Sequence, residues 1–239
     1  MTSRHAIAWA VLAATLLFAV IPFLTPFNGF DPERFPIPQN DPPAQPAGWA
    51  FSIWGVIYLW LIVSAAVGAF GRIDDPAWAP ARPWLLASLV IGVPWLPVAG
   101  VSPVAAFVMI WAMQVTAVVA LFKTPRQDRW LFRAPLGLYA GWLTAASWVS
   151  VALNGAGFGL VTGEWGWAII AICGAFAMTA AILIARRAIP TFAVSVVWAL
   201  VAVAVKAASG YPLIAILAAA GALIIAGLAL RTARPRPMA

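Results

Sequence analysis

Apolar positions along the chain fall into eight long runs of about 18–25 residues, separated by short polar segments. Each run is long enough to cross a bilayer as an α-helix. We predict spans at residues 5–27, 47–70, 83–99, 103–122, 131–154, 165–185, 190–208 and 211–230. Pro94 and Pro97 interrupt the third run, which predicts a broken helix whose freed backbone groups need partners within the protein.

The basic residues support this division of the chain. With eight spans, 12 of the 14 basic residues lie on the side of both termini: Arg4, Arg72, Arg82, Lys123, Arg126, Arg129, Arg133, Arg186, Arg187, Arg231, Arg234 and Arg236. The other side holds Arg34 and Lys206. Because cytoplasmic loops carry the excess of Lys and Arg, both termini are predicted to be cytoplasmic, in a bacterial cytoplasmic membrane. The first run ends in "IPFLTPF" without a small-residue cleavage site, so it is interpreted as a helix rather than a signal peptide.

Composition agrees with a membrane protein. Apolar residues make up 64% of the chain and charged residues 9%, with a mean hydropathy of +0.96, whereas soluble domains carry about 25% charged residues. The net charge of +7 is spread through short loops, which indicates topology rather than nucleic-acid binding. The single cysteine, Cys173, cannot form an internal disulfide and is interpreted as a packing residue.

Several chemistries find no support. The seven acidic residues all lie in loops or at span edges, which argues against a proton-driven carrier. Lys206 has no buried carboxylate to serve as counter-ion to a retinal Schiff base, so it is interpreted as a residue that snorkels to the interface. His5 alone cannot build a metal or haem site, and no catalytic set of side chains can be assembled. We therefore predict no enzyme activity, no metal and no cofactor.

The segment between the first two spans is long and rich in proline. It reads "NGFDPERFPIPQNDPPAQPAGW" and is expected to be stiff and extended. Ordered loops of this length often act as lids over a site. A plain linker is the alternative, and the sequence alone does not decide between the two.

Large rings crowd the start of the second span. They are Trp49, Phe51, Trp54, Tyr58 and Trp60. Trp54 and Tyr58 are four residues apart and share one helix face, whereas Trp49 lies about 140° around the helix from Trp54. One face is therefore expected to line a cavity, and the other to meet lipid or the membrane interface.

A stripe of rings and mildly polar groups runs along the fifth span. Tyr139, Trp142, Ala146, Ser150 and Asn154 follow a 3-4-4-4 spacing and lie on one side of the helix. Such a surface suits a flat apolar ligand with a few hydrogen-bonding edges. Trp95, between the two prolines of the third span, lies where an irregular helix could open space.

These motifs resemble the TspO/MBR family of tryptophan-rich sensory and translocator proteins. "PAGWAFSIWGVIY" is similar to the family's P-P-x-W-x-F-x-x-V-W-x-x-L-Y, "PWLP" to N-x-x-W-S-P, and "YAGWLTAASWVSVALN" to P-Y-L-x-W-x-x-F-A-x-x-L-N. Four departures stand out. Trp49 and Trp54 are one residue closer than the family pair, Ala47 replaces the second proline, Gly92 stands at the third-helix asparagine, and Asn154 lies one turn beyond the family position.

The resemblance implies a pocket for porphyrin-type tetrapyrroles or sterol-like molecules within a five-helix bundle. It implies that the pocket is lined or closed by Trp49, Phe51, Trp54, Trp95, Tyr139, Trp142 and Ala146, and the stripe and motif add Tyr58, Ser150 and Asn154 as ligand-binding candidates. The expected fold is an all-α polytopic membrane bundle of eight transmembrane helices. Residues 1–155 are expected to form the TspO-like five-helix unit, and residues 156–239 three further helices and a short basic tail.

Three functions are compatible with the sequence. The first is a non-enzymatic membrane protein that binds a hydrophobic small molecule for sensing or transport. The second is a facilitative small-molecule permease, and the third is a structural subunit without a ligand. Membrane lipid is an expected partner, nucleic acid is not, and the small-residue face of the last span (Ala218, Ala222 and Ala226) suits tight packing within the chain or between copies in a homo-oligomer.

Overall fold

The computed structural model describes residues 3–25, 29–125, 127–186 and 189–233, and within these ranges the regular structure is helical. Nine α-helices follow one another in these ranges: α1 (Ser3–Leu24), α2 (Ile53–Phe70), α3 (Arg82–Gly92), α4 (Trp95–Ala99), α5 (Pro103–Phe122), α6 (Ala134–Gly157), α7 (Glu164–Ala185), α8 (Pro190–Ala207) and α9 (Pro212–Ala233). Short 3₁₀ turns occur at Pro32–Arg34 and Gly48–Ser52, and a π-helical turn, Arg129–Arg133, leads into α6. The prediction of an all-α polytopic bundle is confirmed.

Seven of the described helical segments are long and apolar enough to cross a membrane. The third predicted span is different, because it forms two shorter helices, α3 and α4, separated by Val93 and Pro94. Proline lacks a backbone N–H and cannot continue the hydrogen-bond ladder of α3. Both pieces pack along α5, so together they follow the length of the bundle as a broken helix. The predicted break therefore lies at Pro94, while Pro97 lies inside α4.

Helix α6 is the centre of the bundle. In the most apolar 18-residue stretch of the segment Arg129–Gly157, 78% is buried inside the protein. The corresponding share is 28–50% in the other six long segments. Helices α2, α5, α7 and α8 all pack against α6. A helix with so many neighbours has faces directed to several parts of the interior, which places the aromatic stripe of the fifth span inside the protein rather than against lipid.

The last helices close the other side of the bundle. Helix α9 packs against α7 and α8, and Ala218 and Ala222 are buried there. These two residues of the small-residue face are thus used for packing within the chain. Cys173 is exposed on the outer side of α7, so its interpretation as an internal packing residue is wrong.

The end of the bundle where α1 begins and α9 ends, here called the terminal face, is held by polar contacts between its loops. His5 bonds Asp74 (2.6 Å), and Asp128 accepts hydrogen bonds from Arg72 Nε (3.0 Å) and Trp78 Nε1 (2.8 Å). The hydrogen bonds from Arg72 and Trp78 hold the pKa of the Asp128 carboxyl below its usual range. These loops belong to the side that the sequence predicts to be basic, so the structure groups them at one end as the eight-span division requires.

Candidate ligand-binding cavity

A cavity of about 900 Å³ lies at the opposite end of the bundle, here called the loop face. Its walls come from α1, α2, α5, α6, α7 and α8, from the end of α3 at Gly92, from the short helix α4, and from the segment between α1 and α2. This volume is at the upper end of the range of roughly 300–1,000 Å³ that is usual for small-molecule pockets. The cavity is therefore large enough for a rigid multi-ring molecule.

Aromatic rings from α1, α2 and α6 line one part of the cavity. Trp54 and Tyr58 are stacked, with ring centroids 5.1 Å apart, as their four-residue spacing predicts. Phe18 of α1 meets both rings edge-on, at 5.7 Å and 5.4 Å, and Trp142 of α6 meets Trp54 edge-on at 6.2 Å. These four residues, Phe18, Trp54, Tyr58 and Trp142, are called the ring floor below.

Tyr139 supports the ring floor from beneath and does not line the cavity. It is fully buried, and its ring lies 5.9 Å from that of Phe18. Its hydroxyl is 2.8 Å from Ser88 Oγ, which in turn is 2.9 Å from the carbonyl oxygen of Met113. Because Ser88 has one proton and donates it to that carbonyl, Tyr139 donates to Ser88. The Tyr139 hydroxyl is thus already used within the protein.

The structure brings seven of the ten predicted site residues together around the cavity: Phe51, Trp54, Tyr58, Trp95, Trp142, Ala146 and Ser150. Tyr139, Trp49 and Asn154 do not line it. Asn154 lies one turn beyond Ser150 and donates to its carbonyl oxygen at 2.9 Å. The role of each of these residues toward a ligand stays a prediction.

Trp49 lies outside the cavity, as its angle of about 140° from Trp54 around a helix predicts and in contrast to the pocket position that the family resemblance implies. Residues Gly48–Ser52 form a 3₁₀ turn, and the α-helix starts at Ile53. The Trp49 ring turns to the other side and meets Trp198 of α8 edge-on at 4.8 Å, while Trp198 Nε1 donates to the carbonyl oxygen of Ala50 at 2.9 Å. Trp49 therefore attaches the start of α2 to α8.

Several lining residues had no signal in the sequence. Phe18, Ile21 and Pro22 come from α1 and Thr25 from the residue that follows it, Ala171, Ile172 and Ala175 from α7, and Val196, Ala199, Leu200 and Val203 from α8. Their types are ordinary for membrane helices, and they reach the cavity only through the packing of α1 against α2 and α3 and of α7 and α8 against α6. The cavity thus extends beyond residues 1–155, the unit in which the sequence placed it.

The proline-rich segment closes the cavity at the loop face. Residues 29–47, here called the lid loop, contribute Phe35, Gln39 and Ala44 as buried lining residues. The Ile37 amide donates to the carbonyl oxygen of Gly157 (2.9 Å) and the Ala47 amide to that of Ala202 (3.3 Å). Phe35 lies directly against Gly157, where any β-carbon would collide with the ring. Of the two interpretations that the sequence left open, this arrangement favours the lid.

Charge is scarce around the cavity. Asp41 is the one charged side chain among the described lining residues, and Lys206 of α8 pairs with it at 2.6 Å. Lys206 lies near the end of its helix, where the sequence predicts a snorkelling residue, and the structure adds this partner in the lid loop.

Three lining residues each carry a buried polar atom without a hydrogen-bond partner among the described residues: Gln39 Oε1, Trp148 Nε1 and Ser150 Oγ. Leaving such a group unpaired away from water costs about 1–3 kcal/mol. These three atoms have almost no accessible surface and therefore lie behind the lining rather than on it.

Comparison with known families matches the model for TSPO-like proteins over residues 5–231. The chain belongs to the TSPO-like protein family. It is accordingly an integral membrane protein, and the resemblance inferred from its tryptophan and proline motifs is confirmed. No curated protein and no solved structure matches the chain.

The TSPO-like match continues through α7, α8 and α9. In this member of the family, α7 and α8 also supply part of the cavity wall. The division into a five-helix unit and three further helices stays a prediction, but the cavity draws on both parts of the chain.

The packing around Gly92 explains one departure of this TSPO-like chain from the motif. It occupies the position at which the resemblance places an asparagine, at the end of α3. A β-carbon at Gly92 would lie 2.7 Å from the Phe18 ring and 2.8 Å from Met113 Cε. Phe18 therefore takes up the space that a larger residue at position 92 would need.

Proposed function

We propose that this TSPO-like protein binds a flat apolar molecule in the cavity and uses it for sensing or transport, without catalysis. The observation that carries the proposal is the cavity of about 900 Å³ with the ring floor at one end and the lid loop at the other. Edge-on and stacked rings present both faces and edges to a planar ligand, which is bound by shape and dispersion. Porphyrin-type tetrapyrroles and sterol-like molecules are the two classes implied by the family resemblance.

A titration tests this proposal. Purified protein in nanodiscs is titrated with protoporphyrin IX, haem and cholesterol, and binding is followed by tryptophan fluorescence and by equilibrium dialysis. We expect saturable binding of at least one probe, weakened at least tenfold in Trp142→Ala. Trp84→Ala removes an exposed tryptophan of α3 outside the cavity and is the matched control. Loss of affinity in both variants, or in neither, would contradict a site on the ring floor.

A facilitative permease is the second candidate. The observation that favours it is the origin of the cavity walls, since helices from both halves of the chain line one space that the lid loop covers. Flux of a bound probe into proteoliposomes, independent of any ion gradient, would support this function. Saturable binding without flux would leave sensing as the function, and the absence of binding across a lipophilic panel would favour a structural subunit.

We also infer that the terminal face is cytoplasmic. The basic residues support this orientation, because the loops of the terminal face carry most of them and the loop face has only Arg34 and Lys206 among its described cations. A bacterial cytoplasmic membrane is the location that fits this rule. Association into a homo-oligomer stays a prediction.

A further inference from the structure

The charge in the cavity lining is negative. Asp41 is the one charged side chain among the described lining residues, and it is a carboxylate. It pairs with Lys206 through Oδ1, but its side chain is 81% exposed and is therefore accessible to a ligand. Arg34, the other described cation of the loop face, lies outside the lining, where it donates to the carbonyl oxygen of Val101. A positive group that enters the cavity meets a carboxylate, whereas a negative group meets no cation among the described lining residues.

The loop face as a whole is negative, although the chain carries a net charge of +7. It bears four carboxylates and two cations, so its net charge is −2 and that of the rest of the chain is +9. These residues are Asp31, Glu33, Asp41 and Glu164 against Arg34 and Lys206. A cleft surrounded by an excess of one sign raises the local concentration of oppositely charged molecules. The cavity thus lies at the end of the bundle that attracts cations.

Aromatic rings supply the second attraction for a positive charge. Phe51 lines the cavity, is 44% exposed and meets Trp142 edge-on at 5.8 Å. Trp54, Tyr58 and Trp95 line the cavity as well and are half-buried, so part of their surface is accessible. The face of an aromatic ring attracts a cation that lies within about 6 Å of its centre, and the attraction grows when water is excluded.

We propose that the cavity selects lipophilic organic cations, that is, flat apolar molecules with a quaternary or protonated nitrogen. The apolar body rests on the ring floor, and the charge is held by the accessible rings, Phe51 among them, and by Asp41. This inference rests on the proposed function, since it names the ligand class of the same site. A carboxylate that enters the cavity loses its hydration without gaining a cation in the described lining, which disfavours acidic ligands.

Three probes with the same ring and tether test the selection by charge: pyrenylbutyl-trimethylammonium, pyrenylbutanol and pyrenylbutanoate. Binding is followed by energy transfer from tryptophan to pyrene in phosphatidylcholine nanodiscs, with empty nanodiscs as the reference for partition into lipid. We expect the cation to bind about fivefold more tightly than the alcohol, as one desolvated contact between a cation and a ring provides. The anion should bind more weakly than the alcohol.

Variants assign the preference to the named charges. Asp41→Asn should lower the affinity ratio between cation and alcohol by about twofold, the effect of a partly exposed charge. Lys206→Met leaves Asp41 unpaired and should raise the same ratio, so opposite changes are expected on the two sides of one ion pair. Glu33→Gln is the matched control, because it removes the same charge from the lid loop outside the cavity lining and should leave the ratio unchanged.

A ring variant separates the aromatic contribution from the charges. Phe51→Leu keeps an apolar side chain at the cavity but removes the ring. The ratio between cation and alcohol should fall, while the alcohol keeps its affinity. Phe70→Leu is the control, since Phe70 is exposed and lies outside the lining. Phe51→Leu also provides the test if Asp41→Asn disturbs the lid loop.

The outcomes separate this inference from the proposed function. Equal affinities for the cation and the alcohol, or a preference that is unchanged in both Asp41→Asn and Phe51→Leu, overturn the inference and leave a site that is indifferent to charge. A ratio that falls as far in Glu33→Gln as in Asp41→Asn overturns the role of Asp41. If no pyrene probe binds saturably, the inference fails, and the proposed function fails with it only if protoporphyrin IX, haem and cholesterol do not bind either.

Discussion

Truncation of Phe35 is expected to loosen the lid loop far more than loss of the Asp41–Lys206 ion pair. Phe35 is 4% exposed, packs against Gly157 and lies edge-on to Phe158 with the ring centroids 6.2 Å apart. The Asp41–Lys206 ion pair is short, at 2.6 Å, but the Asp41 side chain is 81% exposed. The two contacts join the same loop to the bundle, and their physical settings predict different strengths.

The magnitudes follow from burial. Removing a phenylalanine side chain from water contributes about 2 kcal/mol, which corresponds to a roughly 30-fold change in the equilibrium between closed and open loop. An ion pair with an exposed partner contributes about 0.5 kcal/mol, or about a twofold change. We therefore expect Phe35→Ala to raise the open population by more than tenfold and Lys206→Met by less than threefold.

Hydrogen exchange followed by mass spectrometry measures this population. The amides of Ile37 and Ala47 donate to carbonyl oxygens of α6 and α8, so their exchange reports opening of the lid loop. The control is Ile37→Ala, which truncates an exposed apolar side chain of the same loop. If Lys206→Met accelerates exchange across residues 29–47 as much as Phe35→Ala does, charge rather than apolar burial holds the loop and the reasoning is refuted.

Three further predictions concern packing, titration and orientation. Gly92→Ala should lower the melting temperature by about 5 °C, because the added β-carbon meets the Phe18 ring. Gly55→Ala is the control and should change the melting temperature little, because no atom lies within 4 Å of its β-carbon. Equal shifts in the two variants would argue against the contact between position 92 and Phe18. Asp128→Asn should lower the melting temperature at pH 7, and the difference from the wild type should start to shrink near the ordinary carboxyl pKa of about 4. It should be lost only as the pH falls through the lowered pKa of Asp128 in the folded protein, because ionised Asp128 stabilises the fold and the protonated form does not; a difference that stays constant as the pH falls below about 4 would contradict this role. A green fluorescent protein fused to the C-terminus should fluoresce and alkaline phosphatase inserted in the lid loop should be active, and the reverse result would invert the orientation.

Some features of the site could be predicted from local spacing. The stacking of Trp54 on Tyr58 and the common face of Trp142, Ala146 and Ser150 follow from helical geometry alone. The family resemblance placed Trp49 in the pocket, although its angle of about 140° from Trp54 around a helix already separates the two rings. The structure adds a change from a 3₁₀ turn to an α-helix at Ile53. Neither element contains a residue that marks this change.

Runs of apolar residues, prolines and charges act locally or through the bilayer. They were therefore enough to predict the candidate membrane spans, the break in the third of them and the family of the chain. The tertiary structure alone decided that Phe18 and helices α7 and α8 complete the cavity, that Tyr139 is a support rather than a lining residue, and that Phe35 seats the lid loop. Helices of similar apolar composition can pack against one another in many arrangements in lipid. Which helices become neighbours depends on small residues and on shape complementarity over the whole bundle. No single segment of the sequence contains that information.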